Sequence, residues 1–227
     1  MRPGDRIAPS AGGRVGTVPV SRPAGDTGGA DPAVTAALAA YAAGRGTEHA
    51  VLTAVVASRL LVPVVAILAE ANDDGTEKET EMALPTLIGN DGRKAVIAFT
   101  GTDTVSRWRA DARPVPVPAR NLWPAVAAER ADAVVIDVAG PVPFIIEGAR
   151  LRALAGGAPP PLPHEDPDIY AQVAAVTGDF TLEPGGEDAD LTIALRGADV
   201  PAARAAGEAI AARLAPRLRR GIAIRLG

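Results

Sequence analysis

The chain is expected to fold as a mixed α+β / α/β protein: an N-terminal domain with a mixed sheet and flanking helices, plus a smaller C-terminal α+β module. Three observations carry this expectation. From Leu84 to Ala119, LPTLIGNDGRKAVIAFTGTDTVSRWRADARPVPVPA reads as strand, tight loop, strand, short helix and extended strand. Short apolar β-rich runs such as Ala133–Asp137 and Leu191–Leu195 alternate with segments of helical period, which calls for helices packed on a sheet. After Gly156 and Gly157 the run APPPLP can continue neither helix nor strand, so it divides the chain. The expected organisation is a disordered tail over 1–30, a first domain over 31–155, a Pro/Gly-rich linker over 156–167 and a second domain over 168–227.

Residues 1–30 hold seven glycines and four prolines with little periodic apolar content, so they cannot offset the entropy of ordering. Asp31 then offers an N-cap and Pro32 a first helical position, opening a helix that Gly44 and Gly46 end. Thr47 caps a second helix reaching Ala57. The stretch from Val51 to Ala69 is long and apolar enough to test as a membrane span. Arg59 at its centre would cost roughly 2.5 to 3.5 kcal/mol there, and Pro63 would break the helix. A helix ending near Ser58 and a buried strand from Leu60 to Leu68, rich in β-branched residues, is the better reading. Asn72–Glu81, with five acidic residues and one lysine, is expected to be a solvated loop rather than a calcium loop.

Within the 84–119 stretch, Gly89–Gly92 form a hairpin turn between two apolar runs. Thr100 or Thr102 would cap a short helix whose Val105 and Trp108 face the sheet, making Trp108 a core residue. Prolines at 114, 116 and 118 lack N–H groups along one side of an extended segment, which only an edge strand tolerates. Leu122, Trp123 and Val126 mark the next helix, and strands at 133–137 and 144–146 precede a helix over 148–154. Beyond the linker, Asp166 and Pro167 open a helix near 168–176. Strands follow near 180–182 and 191–195, then a helix from Asp199 and a last strand at Ile222–Leu226.

Composition narrows the chemistry. The chain has no cysteine, which excludes disulfides, thiolate zinc sites and a cysteine nucleophile and suits the cytoplasm. Its start, MRPGDRIAPS, is not followed by an apolar run of signal-peptide length. No G-x-S-x-G surrounds any serine, and neither His49 nor His164 has a second ligand at metal spacing. No Gly-rich phosphate loop is present, and Asp137 before Gly140-Pro141 reads as a turn former rather than a catalytic carboxylate. The expectation is therefore no catalytic residue, no metal and no cofactor.

Residues 82–130 carry seven basic against four acidic side chains, with Arg107, Arg109 and Arg113 around Trp108. Residues 201–227 hold six arginines and one glutamate, directly after a segment, 161–200, with nine acidic residues and one arginine. The two C-terminal segments are expected to neutralise each other. Arg107, Arg109 and Arg113 are the candidate surface for a protein partner; nucleic acid is the weaker expectation, given a formal charge of -4, and no membrane is expected.

ALPTLIGNDGRKAVIAFT, SRWRADARPVPVPA and ADAVVIDVAGPVPFIIEG closely resemble the SseB N-terminal domain as found in actinobacteria, over roughly Asp31 to Ala155. Residues 168–227 look like that family's smaller C-terminal domain. The family is named for enhanced serine sensitivity and has no agreed activity or catalytic residues, so the resemblance implies a cytoplasmic, non-enzymatic binding or adaptor protein. An accessory factor to a metabolic or sulfur-transfer enzyme, and then an RNA-binding accessory protein, are the alternatives. A type III secretion label borrowed by some of the family finds no support in sustained heptads or a membrane span.

Overall fold

The structure, a computed structural model, describes residues 26–66, 86–89 and 91–227, with the strand backbone of Ile7–Ala8 and Met82–Ala83. The acidic loop 72–81 and most of the expected tail lie outside the described residues. The N-terminal part runs β1 (Ile7–Ala8), α1 (Pro32–Ala42), α2 (Glu48–Ala57), β2 (Arg59–Ala66), β3 (Met82–Ala83), β4 (Thr86–Ile88), β5 (Lys94–Ala98), α3 (Thr102–Trp108), β6 (Arg113–Pro118), α4 (Ala119–Ala128), β7 (Ala133–Ile136), β8 (Phe144–Glu147) and α5 (Gly148–Ala155). After a 3-10 turn at Pro163–Glu165 come α6 (Pro167–Ala174), β9 (Phe180–Pro184), β10 (Leu191–Leu195), α7 (Val200–Leu214) and β11 (Ile222–Leu226). The fold is α+β, as expected.

Local chemistry places most boundaries. Asp31 accepts from the Ala33 N–H and Thr47 from the Ala50 N–H, so α1 and α2 begin at side-chain caps. The apolar stretch tested as a span divides at Ser58 into helix and strand, and among the described residues no helix is long and apolar enough to cross a membrane. In α3 the cap differs from expectation: Gly101 takes that place with no side-chain bond, because the Thr100 hydroxyl is drawn to Asp137 instead.

Five strands form a mixed sheet in the order β1-β4-β5-β7-β8, with β5 and β7 parallel and the other neighbours antiparallel. Gly89 donates to Arg93 O at 2.9 Å and closes the β4–β5 hairpin. A second sheet, β3-β2-β6, joins the first where Leu61 and Phe99 exchange backbone bonds of 2.7 and 2.8 Å. Since Leu61 turns toward Phe99, its neighbours Leu60 and Val62 turn their backbone groups to Val117 and Val115 of β6. The missing N–H groups of Pro114, Pro116 and Pro118 therefore all fall on the outer side of an edge strand.

One face of this double sheet packs against α1, α2, α4 and α5 through Leu38, Val51, Leu52, Val55, Leu122, Trp123 and Leu154. A smaller cluster of Leu61, Leu87, Ile97, Phe99, Val105 and Val135 fills the other face under α3. The C-terminal module has its own core, in which Ile169, Val173, Ile210 and Leu214 of α6 and α7 cover Leu191, Ile193 and Leu195. Its sheet runs β11-β10-β9, with β11 parallel and β9 antiparallel to β10.

Two expectations are corrected. Trp108 is half-buried rather than core; it leans on Phe99, ring centroids 5.6 Å apart, while Trp123 is the fully buried tryptophan. Asp26 to Ala30, assigned to the tail, are built into the domain. Arg59 holds Asp26 with Nε at 2.8 Å and Nη2 at 3.0 Å and donates to the Gly29 and Thr100 carbonyls, and the Thr102 N–H bonds Gly28 O.

Candidate functional site

The strip 26–30 and α3 stand over the ends of β5 and β7 and enclose a cleft of about 240 Å³. Leu38, Ala39, Pro141 and Val142 supply apolar wall, Thr35, Thr100 and Thr104 supply hydroxyls, and Arg107 sits at the rim. On its lining lies Asp137, 4% exposed, with φ +52 in the left-handed region that Asp and Asn tolerate better than other side chains. Its carboxylate accepts the Thr100 N–H at 2.9 Å, the Thr100 hydroxyl at 2.7 Å and the Thr104 hydroxyl at 2.6 Å. Turn former is thus too weak a description of Asp137: it anchors the loop leading into α3. A carboxylate holding three donors fixes the geometry of the turn into α3.

The structure gives the three candidate arginines separate environments. Arg107 is exposed and lines the cleft. Arg109 is exposed but turns back, its guanidinium 5.9 Å from the Trp108 ring centroid and forked onto Asp111 at 2.9 and 2.6 Å. Such a solvated pair adds little stability because water screens it, yet it leaves Arg109 less ready for a partner. Arg113 opens the proline edge strand and is exposed. Neither Arg107 nor Arg113 has a hydrogen-bond or ion-pair partner among the described residues.

A second polar constellation, absent from the sequence reading, joins the two units. Glu48, 5% exposed in the first turn of α2, is held by Arg150 of α5 and by Arg217, whose Nε and Nη2 lie 3.1 and 2.8 Å from Oε2. The same Nη2 lies 2.5 Å from Asp166 Oδ2, and Asp166 also caps α6. Two cations meet two anions, so the cluster is neutral although almost dry. Burial opposes the charge on Arg217, but its hydrogen bonds and attraction to Glu48 and Asp166 prevail and raise its pKa. Burial lowers that of Arg150, with Glu48 opposing.

Around this cluster the Tyr41 hydroxyl donates between Pro216 O and Arg217 O at 2.8 and 3.0 Å, and Asp168 accepts the Ala149 N–H at 2.6 Å. Gly148 has φ +61, and a Cβ there would sit 2.0 Å from Asp168 Oδ2, so only glycine fits this junction. Elsewhere Arg220 contacts Asp190 and Arg225 reaches Glu183, so the acidic and basic C-terminal segments do pair in part. His164 lies 3.7 Å from Glu165, His49 Nδ1 is buried without a partner, and no group of three metal-ligating side chains forms among the described residues. The two arginines, Arg150 and Arg152, within the otherwise apolar ARLRALA are the one sequence signal near the cluster; Glu48 and Arg217 read as a first-turn acid and a patch member.

Taken together, these features define a two-unit α+β protein with a charge cluster at the junction and a shallow cleft edged by Asp103 and Arg107. The chain belongs to the SseB family: the family model described as SseB protein N-terminal domain matches residues 34–153, more than half of its length, from α1 into α5. No curated protein and no solved structure matches the chain.

Proposed function

We propose that the chain is a non-enzymatic binding or adaptor protein of the cytoplasm, whose exposed Arg107 and Arg113 take an acidic face of a protein partner. The observation that carries this reading is that these two cations are exposed and unpaired among the described residues, while Arg150, Arg217, Arg220 and Arg225 are engaged. Arg113 opens β6 and Arg107 lies on the preceding helix, α3; the prolines of β6 leave a partner side-chain contacts rather than a β-ladder. A metabolic enzyme to which the chain is accessory fits as the partner class, and the family's link to serine sensitivity is consistent with it. RNA is less favoured, because Arg217 is committed to Glu48 and Asp166.

The test is capture from the native host by the full chain and by the Arg107→Glu, Arg113→Glu variant, with circular dichroism confirming the fold. Binding should weaken with salt and be lost in the variant. A folded variant that keeps every partner would overturn the reading, as would capture that disappears on nuclease treatment.

A further inference from the structure

The β3-β2-β6 and β11-β10-β9 sheets treat their edges in opposite ways. β6 carries three prolines on its outer side, whereas β11, Gly221 to Gly227 with its flanking glycines, reads G-I-A-I-R-L-G and has neither proline nor lysine. The Asp190 N–H donates to Gly221 O and the Gly227 N–H to Leu195 O, so residues 221, 223, 225 and 227 turn their backbone toward β10. Alternation then directs the N–H and C=O groups of Ile222, Ile224 and Leu226 outward. Among the described residues no strand pairs with that side. Arg225, the one charge of the strand, is tied to Glu183 across the open face of the sheet and does not guard the edge. Leu226, at the end of the strand, is 46% exposed.

We propose that β11 pairs antiparallel with β11 of a second copy of this chain, making one six-stranded sheet about a two-fold axis at Ile224. The edge is self-complementary about that residue, which is why a second copy rather than an unrelated strand is assigned. Gly221 meets Gly227 of the other copy, Ile222 meets Leu226, Ala223 meets Arg225 and Ile224 meets itself, so no like charges oppose each other. The outward groups form three hydrogen-bonded pairs, each exchanging two N–H···O bonds. Ile224 packs over Gly207 of α7, and pairing extends this apolar row so that Leu226 is covered by Ile222 of the other copy.

Sedimentation of the full chain over about a hundredfold range of concentration tests this. The expected result is a shift from monomer to twice its mass as concentration rises. Leu226→Lys places a charge at the exposed edge, and Ile224→Pro removes the outward donor at the axis; each should hold the chain monomeric with unchanged circular dichroism. If Ile224→Pro fails to fold, Leu226→Lys decides alone. A wild type that stays monomeric at every concentration, or a dimer that survives in the folded Leu226→Lys variant, would overturn the assignment.

Discussion

The two tryptophans show how burial, not residue type, sets the cost of a side chain. Trp123 is 2% exposed in the main core and Trp108 is half-buried under Phe99, in a chain with only 3% aromatic residues to fill a gap. Trp123→Ala is expected to cost about 3 to 5 kcal/mol and Trp108→Ala about 1 to 3 kcal/mol in a urea titration. Equal losses would contradict the difference in packing. Among the described residues neither indole N–H has a partner, so Trp123→Phe breaks no hydrogen bond and should cost less than Trp123→Ala. Tyr41 adds a pH dependence: burial and then the Glu48 charge raise its pKa above 10.0. The folded state keeps this proton where the unfolded chain releases it, so the contribution is whole below pH 10 and lost as pH rises through the folded value. Denaturation between pH 8 and about 11.5 should show this decline, and Tyr41→Phe should remove that part of it.

At the scale of elements, β6 is defined by which side its donors face. Pro116→Val is expected to leave stability within about 1 kcal/mol, since the restored N–H points to solvent, but to raise aggregation measured by light scattering. Val117→Pro, facing Leu60, should destabilise by about 2 kcal/mol or more; a neutral result would place the hydrogen bonds on the other side. This edge could be read from the sequence because P-x-P-x-P has the period of a strand, and the helices of 32–42 and 48–57 because Asp31, Pro32 and Thr47 announce their starts. The Leu61–Phe99 bridge was not legible, because residues far apart in the chain decide it and nothing local marks it. The same holds for Asp137. A strand-end Asp before Gly-Pro looks like a turn former, and only the fold brings Thr100 and Thr104 to it.

At the scale of the molecule, the junction cluster makes the two cores depend on one another. Arg217→Ala would leave Glu48 and Asp166 buried with one cation between them, and a cost of about 3 to 5 kcal/mol is expected. The matching observation is a split of one unfolding transition into two, followed by tryptophan fluorescence for the first unit, which holds both tryptophans, and by hydrogen exchange in α7 for the second. A single unshifted transition would show that the Tyr41 bonds to Pro216 O and Arg217 O suffice. The cluster also has a consequence for synthesis on the ribosome. Glu48 finds Arg217 only after 169 further residues have been made, on the order of ten seconds at ordinary elongation rates. Arg150 itself follows Glu48 by 102 residues, so only over the later stretch, between Arg150 and Arg217, does the nascent first domain expose the surface destined for the junction with the Glu48–Arg150 pair lacking its outer arginine. Its emergence is thus the period in which this protein is most exposed to chaperones and proteases, and the C-terminal module is what ends it.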